Sequence, residues 1–286
     1  MLRHRIVTAV ILIPLFVWGT LALPTPYFAV LTGAVVTLGA WEWSALIKMS
    51  PTGRMVFSAG AAAMMVLAFR YVLTGRALYA LLLVVVIWWG FSLLWMYSYN
   101  RAAQSDRREG GTPGEHMSAN TAWVYALVGW VVLVPAWLSL VALHQNRAYG
   151  PNFVLFLFVL IWLADTSAYF AGRLWGRAKL APGISPGKTW MGVAGALWAT
   201  LVIAAVGGVL LGLGWDKSRL FALIGLFTVT ASVAGDLFES MFKRRAGVKD
   251  SGTLLPGHGG VLDRIDSLTA AAPVYLFGLL AAGISQ

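Results

Sequence analysis

Between Ser240 and Asp266 the chain gathers five Lys or Arg, three Asp, one His and five Gly, with long apolar stretches on either side. Cations, carboxylates and flexible backbone in one short stretch suit the handling of phosphates with a divalent metal. Just ahead of it, Asp236, Glu239, Ser240 and Lys243 recur at i, i+3, i+4 and i+7, which puts them on one face of a helix. An acid at membrane depth costs ~2.5–3.5 kcal/mol on insertion scales, so it usually has a partner or a task. The plain alternative is an Asp236–Lys243 or Glu239–Lys243 pair at a helix end. The chemical reading is half of a metal-phosphate site, because hard carboxylate oxygens suit Mg2+ and leave room for substrate phosphates.

The second half would come from Pro256-Gly-His-Gly-Gly-Val-Leu-Asp-Arg-Ile-Asp. Glycines such as Gly259 and Gly260 let backbone approach a ligand closely, and successive free N–H groups can cradle an anion. Asp263 and Asp266 stand at i, i+3 just before an apolar run, where they could also merely cap a helix and complement its dipole. His258 is open to three readings: a turn residue, a phosphate donor or a general base.

Two further stretches carry candidates. Asp165, Tyr169, Gly172, Arg173 and Gly176 fall on one helical face. The Gly172/Gly176 spacing alone would serve close helix packing, but a membrane-depth acid and a phosphate-suited guanidinium need another reason. Gly183-Ile-Ser-Pro-Gly-Lys-Thr looks like a P-loop, yet it has three residues between its glycines where that motif needs four, and no preceding strand is expected. Lys188 is still placed to meet a phosphate, and Ser185 is a candidate cap for the helix that follows.

These residues must be held by membrane helices. The chain is 286 residues long, 59% hydrophobic and only 11% charged, against about 25% charged in soluble domains. It is therefore an integral membrane protein, and its fourteen Trp suit interfacial belts. Nine apolar runs are long enough to cross ~30 Å of hydrocarbon, near 6–23, 27–47, 56–73, 77–99, 122–143, 153–172, 190–213, 220–237 and 268–284. They lack the alternation of barrel strands, so an all-α polytopic fold is expected. The basic start resembles a signal peptide, but its apolar run is long and lacks a small-x-small cleavage site; it reads as a retained helix. The absence of Cys excludes disulfides and thiolate metal sites.

With the N-terminus inside, all but Arg70, Arg76, Arg147, Lys217 and Arg219 of the 21 basic residues fall on the cytoplasmic side. That bias accounts for the net charge of +10 without nucleic acid. Residues 1–150 form an N-terminal region of about five spans, with a polar stretch at 100–120 expected to be a flexible loop. Residues 151–286 form a C-terminal region of about four spans. Seven of the eleven acids lie in that second region, and the first five spans hold only Glu42. The chemistry is expected there, at the cytoplasmic face.

The residues from Ser240 to Asp266 resemble the signature of phosphatidate cytidylyltransferases, the CDP-diacylglycerol synthases. The matching positions are Ser240-x-Phe-Lys-Arg, Lys249-Asp250-x-Gly252, His258-Gly-Gly and Asp263-Arg-Ile-Asp266. The segments at 165–176 and 185–190 resemble that family in the expected order. Gly187 departs from the family's usual Lys, and Met191 from its usual Glu.

The resemblance implies transfer of a cytidylyl group from CTP to phosphatidate, giving CDP-diacylglycerol and pyrophosphate, in a bacterial inner membrane. It implies Mg2+ held by Asp236 and Asp263, with Asp266 third, a K+ or second divalent ion beside it, and a homodimer. Lys243, Arg244, Lys249 and Arg264 would neutralise phosphates, Ser240 and His258 would donate hydrogen bonds, and Asp250, Asp165, Arg173, Ser185 and Lys188 would complete the pocket. A transporter is the main rival, but it predicts internal repeats and midplane charge, whereas here the charge gathers at one face. A related enzyme acting on another lipid phosphate is the second rival.

Overall fold

The computed structural model describes residues 2–73, 75–108, 119–146, 149–254, 257 and 259–284. In these it has α1 (Leu2–Ala22), α2 (Thr25–Leu46), α3 (Pro51–Tyr71), α4 (Gly75–Arg108), α5 (Ala119–His144), α6 (Gly150–Trp175), β1 (Lys179–Ala181), β2 (Ser185–Thr189), α7 (Trp190–Leu210), α8 (Trp215–Ala246) and α9 (Leu262–Ala281). The helices occupy the nine expected places, and seven are long and apolar enough to cross a membrane. Hydrocarbon offers backbone groups no outside partner, so a helix that bonds its own is the available solution. α9 opens with Asp263, Arg264 and Asp266 before its apolar run.

α9 is central: it packs against α2, α4, α5, α6 and α8. Ala270, Ala271, Ala272, Tyr275 and Leu279 are completely buried. Small residues let helices approach closely where lipid supplies no hydrophobic drive between them. Gly235 of α8 lies against the Asp266 carbonyl and Ala270, so a methyl group there would collide. The same holds between α6 and α7, where Gly172 and Gly176 press against Thr189. Those two glycines therefore serve packing, as their spacing alone suggested.

α4 and α8 have 34 and 32 residues, or about 50 Å each at 1.5 Å per residue, well beyond the ~30 Å hydrocarbon core. The expected loop at 100–120 is thus partly helix. α4 continues through Arg108, because Ala103 is buried and Asn100 has a partner: its Oδ1 accepts the Gly183 N–H at 2.7 Å. Residues 109–118 of that stretch lie outside the described residues.

A second difference is the antiparallel β1–β2 hairpin, which pairs Lys179 with Thr189 and Ala181 with Ser185. The Gly183–Lys188 stretch is its turn and second strand. Asn100 ties it to α4, and Arg244 Nε donates to the Ile184 carbonyl at 3.2 Å, tying it to α8. Thr189, not Ser185, caps α7: its Oγ1 accepts the Gly192 N–H at 3.1 Å. The strand carries Ser185 away from the helix start.

Arg245 joins the two halves. It is buried, with its guanidinium 5.0–5.5 Å from the rings of Trp95, Tyr99 and Tyr125, and Nη1 donates to the Tyr125 hydroxyl at 2.6 Å. Cation–π contact of this kind is worth about 2 kcal/mol when desolvated.

Candidate active site

α8 presents Asp236, Glu239, Ser240 and Lys243 on one face, as the spacing predicts, and α9 meets that face with its first turns. Lys243 stands between them: its Nζ lies 2.7 Å from Asp263 Oδ1 and 3.4 Å from Glu239 Oε1. The other Asp263 oxygen accepts the N–H groups of Gly260 at 2.8 Å and Ser251 at 3.0 Å. Burial alone would push the Asp263 carboxyl up. The Lys243 ammonium and the two backbone donors outweigh it and hold that carboxyl below its usual range. At Gly259 φ is +82°, and a side chain would strike Asp263 Oδ2, so this turn requires glycine.

A second ion pair brings the hairpin to α8: Lys188 Nζ lies 2.6 Å from Asp236 Oδ2. Ser240 Oγ donates to Asp236 Oδ1 at 3.3 Å. Asp236 therefore pairs with Lys188, not with Lys243. Asp165 on α6 is within electrostatic reach of Asp236 and Lys188, and Asp266 within reach of Asp236 and Glu239. The helices α6, α8 and α9 and the hairpin before α7 thus converge on one polar cluster.

Sequence reasoning missed Glu42. This buried carboxylate of α2 accepts three hydrogen bonds, from Ser251 Oγ at 2.9 Å, Val261 N at 3.0 Å and Leu262 N at 2.8 Å. Val261 and Leu262 are the start of α9, where backbone N–H groups lack helical partners. Glu42 caps α9 from a different helix and pins both ends of the glycine-rich loop. Gly252 and Gly260 both lie against its carboxylate, where any side chain would collide. The one signal was its isolation: a lone acid in an apolar span implies a buried partner.

Other expected residues stand apart from the carboxylates. Arg173 Nη1 donates to Tyr169 Oη at 2.7 Å on the exposed side of α6. Arg244 donates from Nε to the Ile184 carbonyl at 3.2 Å and from Nη1 to the Val248 carbonyl at 3.1 Å. Lys249 and Asp250 are exposed on the loop, and Ser185 begins β2. Arg264 lies on the other side of α9, lining an apolar groove. His258 lies outside the described residues.

The donor chemistry fits Mg2+. Among the described residues the buried Glu239 oxygens have no hydrogen-bond partner by geometry, and Lys243 and the Asp266 carboxyl lie beside them. Asp236 and Asp266 add hard oxygens to the same cluster. Asp263, by contrast, has both oxygens committed to Lys243 and the loop. Among the described residues no three His, Asp or Glu form a ready-made metal cage. Mg2+ commonly binds through one or two carboxylates plus substrate phosphates, so a complete cage is not required.

A model of the cytidylyltransferase family matches residues 3–281. The chain is 43% identical over 286 residues to the phosphatidate cytidylyltransferase of Pseudomonas aeruginosa, covering 99% of this chain and 98% of that one. It is 36% identical to the Haemophilus influenzae enzyme of the same name, covering 97% and 98%. A Brucella abortus phosphatidate cytidylyltransferase is 46% identical over 152 residues, 50% of this chain and 53% of its own.

Proposed function

Because the chain belongs to the cytidylyltransferase family, we infer that it transfers the cytidylyl group of CTP to phosphatidate. The products are CDP-diacylglycerol, a precursor for phospholipid synthesis, and pyrophosphate. The observation that carries this reading is the pair of lysine–carboxylate contacts, Lys188–Asp236 and Lys243–Asp263, at the meeting of α8, α9 and the hairpin. Both lysines are positioned by carboxylates, and both can receive phosphate oxygens.

Phosphatidate brings its own nucleophile, since a phosphate monoester is largely dianionic at neutral pH (second pKa about 6). One of its oxygens forms the new bond to the α-phosphorus of CTP. The bond from that phosphorus to the bridging oxygen breaks, and pyrophosphate leaves with the electron pair. No Ser, Cys or His nucleophile is needed. The protein must align two anions and neutralise the leaving group. Lys188 and Lys243 pair with the carboxylates of the cluster, and the N–H groups of Ser251 and Gly260 hold Asp263 beside it. Asp236 and Asp266, with Glu239, are the residues that would hold Mg2+, which when bound supplies charge neutralisation at the attacking and leaving oxygens. Asp263 acts chiefly by positioning Lys243.

The site is placed at the cytoplasmic face of an inner membrane with the N-terminus inside, on the strength of the basic-residue bias. A homodimer and a K+ ion are further proposals from the family resemblance.

The test is the purified protein in phosphatidate–detergent micelles with labelled CTP and Mg2+. Label in a lipid product, with equimolar pyrophosphate, supports the reading. A folded protein that labels no lipid phosphate overturns it.

A further inference from the structure

α9 has two chemically opposed faces in its first turns. Asp263, Asp266 and Ala270 cluster within about 60° of one another at 100° per residue, toward α8, whereas Arg264, Ile265 and Leu268 lie around the other side. That other side lines a cavity of about 390 Å3 between α1, α2, α5, α6 and α9, within the ~300–1,000 Å3 of small-molecule sites. Its wall is apolar: Phe16 from α1, Val36 from α2, Leu133 from α5 and Phe158 from α6 are representative. Arg264 is the single charged residue among its described lining. Ile13, Leu15, Leu31 and Trp162 also line it and are exposed, so it opens between the outer, membrane-facing surfaces of α1, α2 and α6.

An apolar cleft open to the bilayer, with a guanidinium at the end nearest the carboxylate cluster, matches one kind of molecule: an anionic lipid. We propose that the groove seats an acyl chain of phosphatidate and that Arg264 draws the lipid's phosphate to the head of α9. The inference rests on the cytidylyl-transfer reading above. It adds where the lipid lies. The lipid enters on the Arg264 side of α9, and its phosphate reaches CTP around the helix's N-terminal end, because the reacting atoms must come within about 3–3.5 Å of each other on one side of it. The apolar wall discriminates chain from no chain, and Arg264 discriminates a phosphate monoester from a zwitterionic headgroup.

Narrowing the groove tests this. Ala136→Phe fills its buried wall, and Leu31→Trp partly closes its exposed mouth without disturbing the core. Each is assayed on dioleoyl and on short-chain dihexanoyl phosphatidate. Expected is a loss of about tenfold or more in kcat/KM for the long-chain lipid, little change for the short one, and an unchanged KM for CTP. Equal losses on both lipids, or none on either, overturn the groove assignment while wild-type transfer keeps the enzyme reading. Wild-type protein inactive on every lipid phosphate removes the reading itself.

A second measurement needs no turnover. Phosphatidate carrying a photoreactive group at its acyl terminus is crosslinked in micelles without CTP. Label on groove peptides containing Leu31, Trp162 or Ile265, displaced by unlabelled phosphatidate and not by phosphatidylcholine, supports the proposal. Label elsewhere, or equal displacement by phosphatidylcholine, shows ordinary surrounding lipid and overturns it.

Discussion

The carboxylate of Glu42 accepts the Leu262 N–H at 2.8 Å across 220 positions of chain. The first apolar half thereby reaches directly into the polar loop of the second. Since the same carboxylate also holds Val261 N and Ser251 Oγ, a helix of the first half fixes the two ends of that loop.

Removing that carboxylate leaves buried donors unpaired, at about 1–3 kcal/mol for each unsatisfied group. Glu42→Ala is expected to lower stability by about 3 kcal/mol or more and to lose most activity. Glu42→Gln keeps one acceptor oxygen and should recover part of both. Thermal unfolding in detergent and kcat, measured on all three proteins, check this; a Glu42→Ala protein with wild-type melting and kcat would refute the capping role.

Asp236 and Asp263 should fail differently. Asp236→Asn is expected to cut kcat by about a hundredfold or more, as the loss of a charge-stabilising group does, with unchanged melting and partial recovery at raised Mg2+. Asp263→Asn loses the Lys243 anchor as well as activity, so its melting temperature should fall and added Mg2+ should not help. Titrating Mg2+ against both variants separates a ligand from a positioning carboxylate.

Lys188 is about a quarter exposed, and Asp236 about a third. Their pair is expected to contribute less than about 1 kcal/mol to folding. Lys188→Met should therefore melt like the wild type yet raise the KM for CTP about tenfold, the loss of one charge-assisted phosphate contact. A large fall in melting temperature with normal kinetics would show that the pair is structural.

Arg245 offers the converse case. Arg245→Lys keeps the charge but gives up the planar contact with three rings and the Tyr125 hydrogen bond. A destabilisation of about 1–2 kcal/mol is expected, because the desolvated cation–π contact is the main loss. The kcat of the folded fraction should be unchanged, as read by urea titration beside activity.

Local spacing made the α8 face legible. Asp236, Glu239, Ser240 and Lys243 are neighbours on any helix, and the positions of the nine helices follow from apolar length. The long-range partners were not legible. Nothing near Lys188 in the chain signals Asp236, and nothing near Glu42 signals Ser251, because such pairs depend on how helices dock. The hairpin was hidden for a related reason: its five-residue strand contains Pro186 and Gly187, poor strand formers, and contacts with Asn100 and Arg244 tie it in place. Polarity misled at 100–108, where the helix continues because its side chains have a tertiary partner.

Glu42 leaves the ribosome long before the residues it binds. At about 5–20 residues per second, the 220 positions to Leu262 take roughly 10–45 s to make. For that interval an ionisable carboxylate on α2 has no native partner within the membrane. The Glu42 contacts, and with them the anchoring of the start of α9, therefore form only late in synthesis.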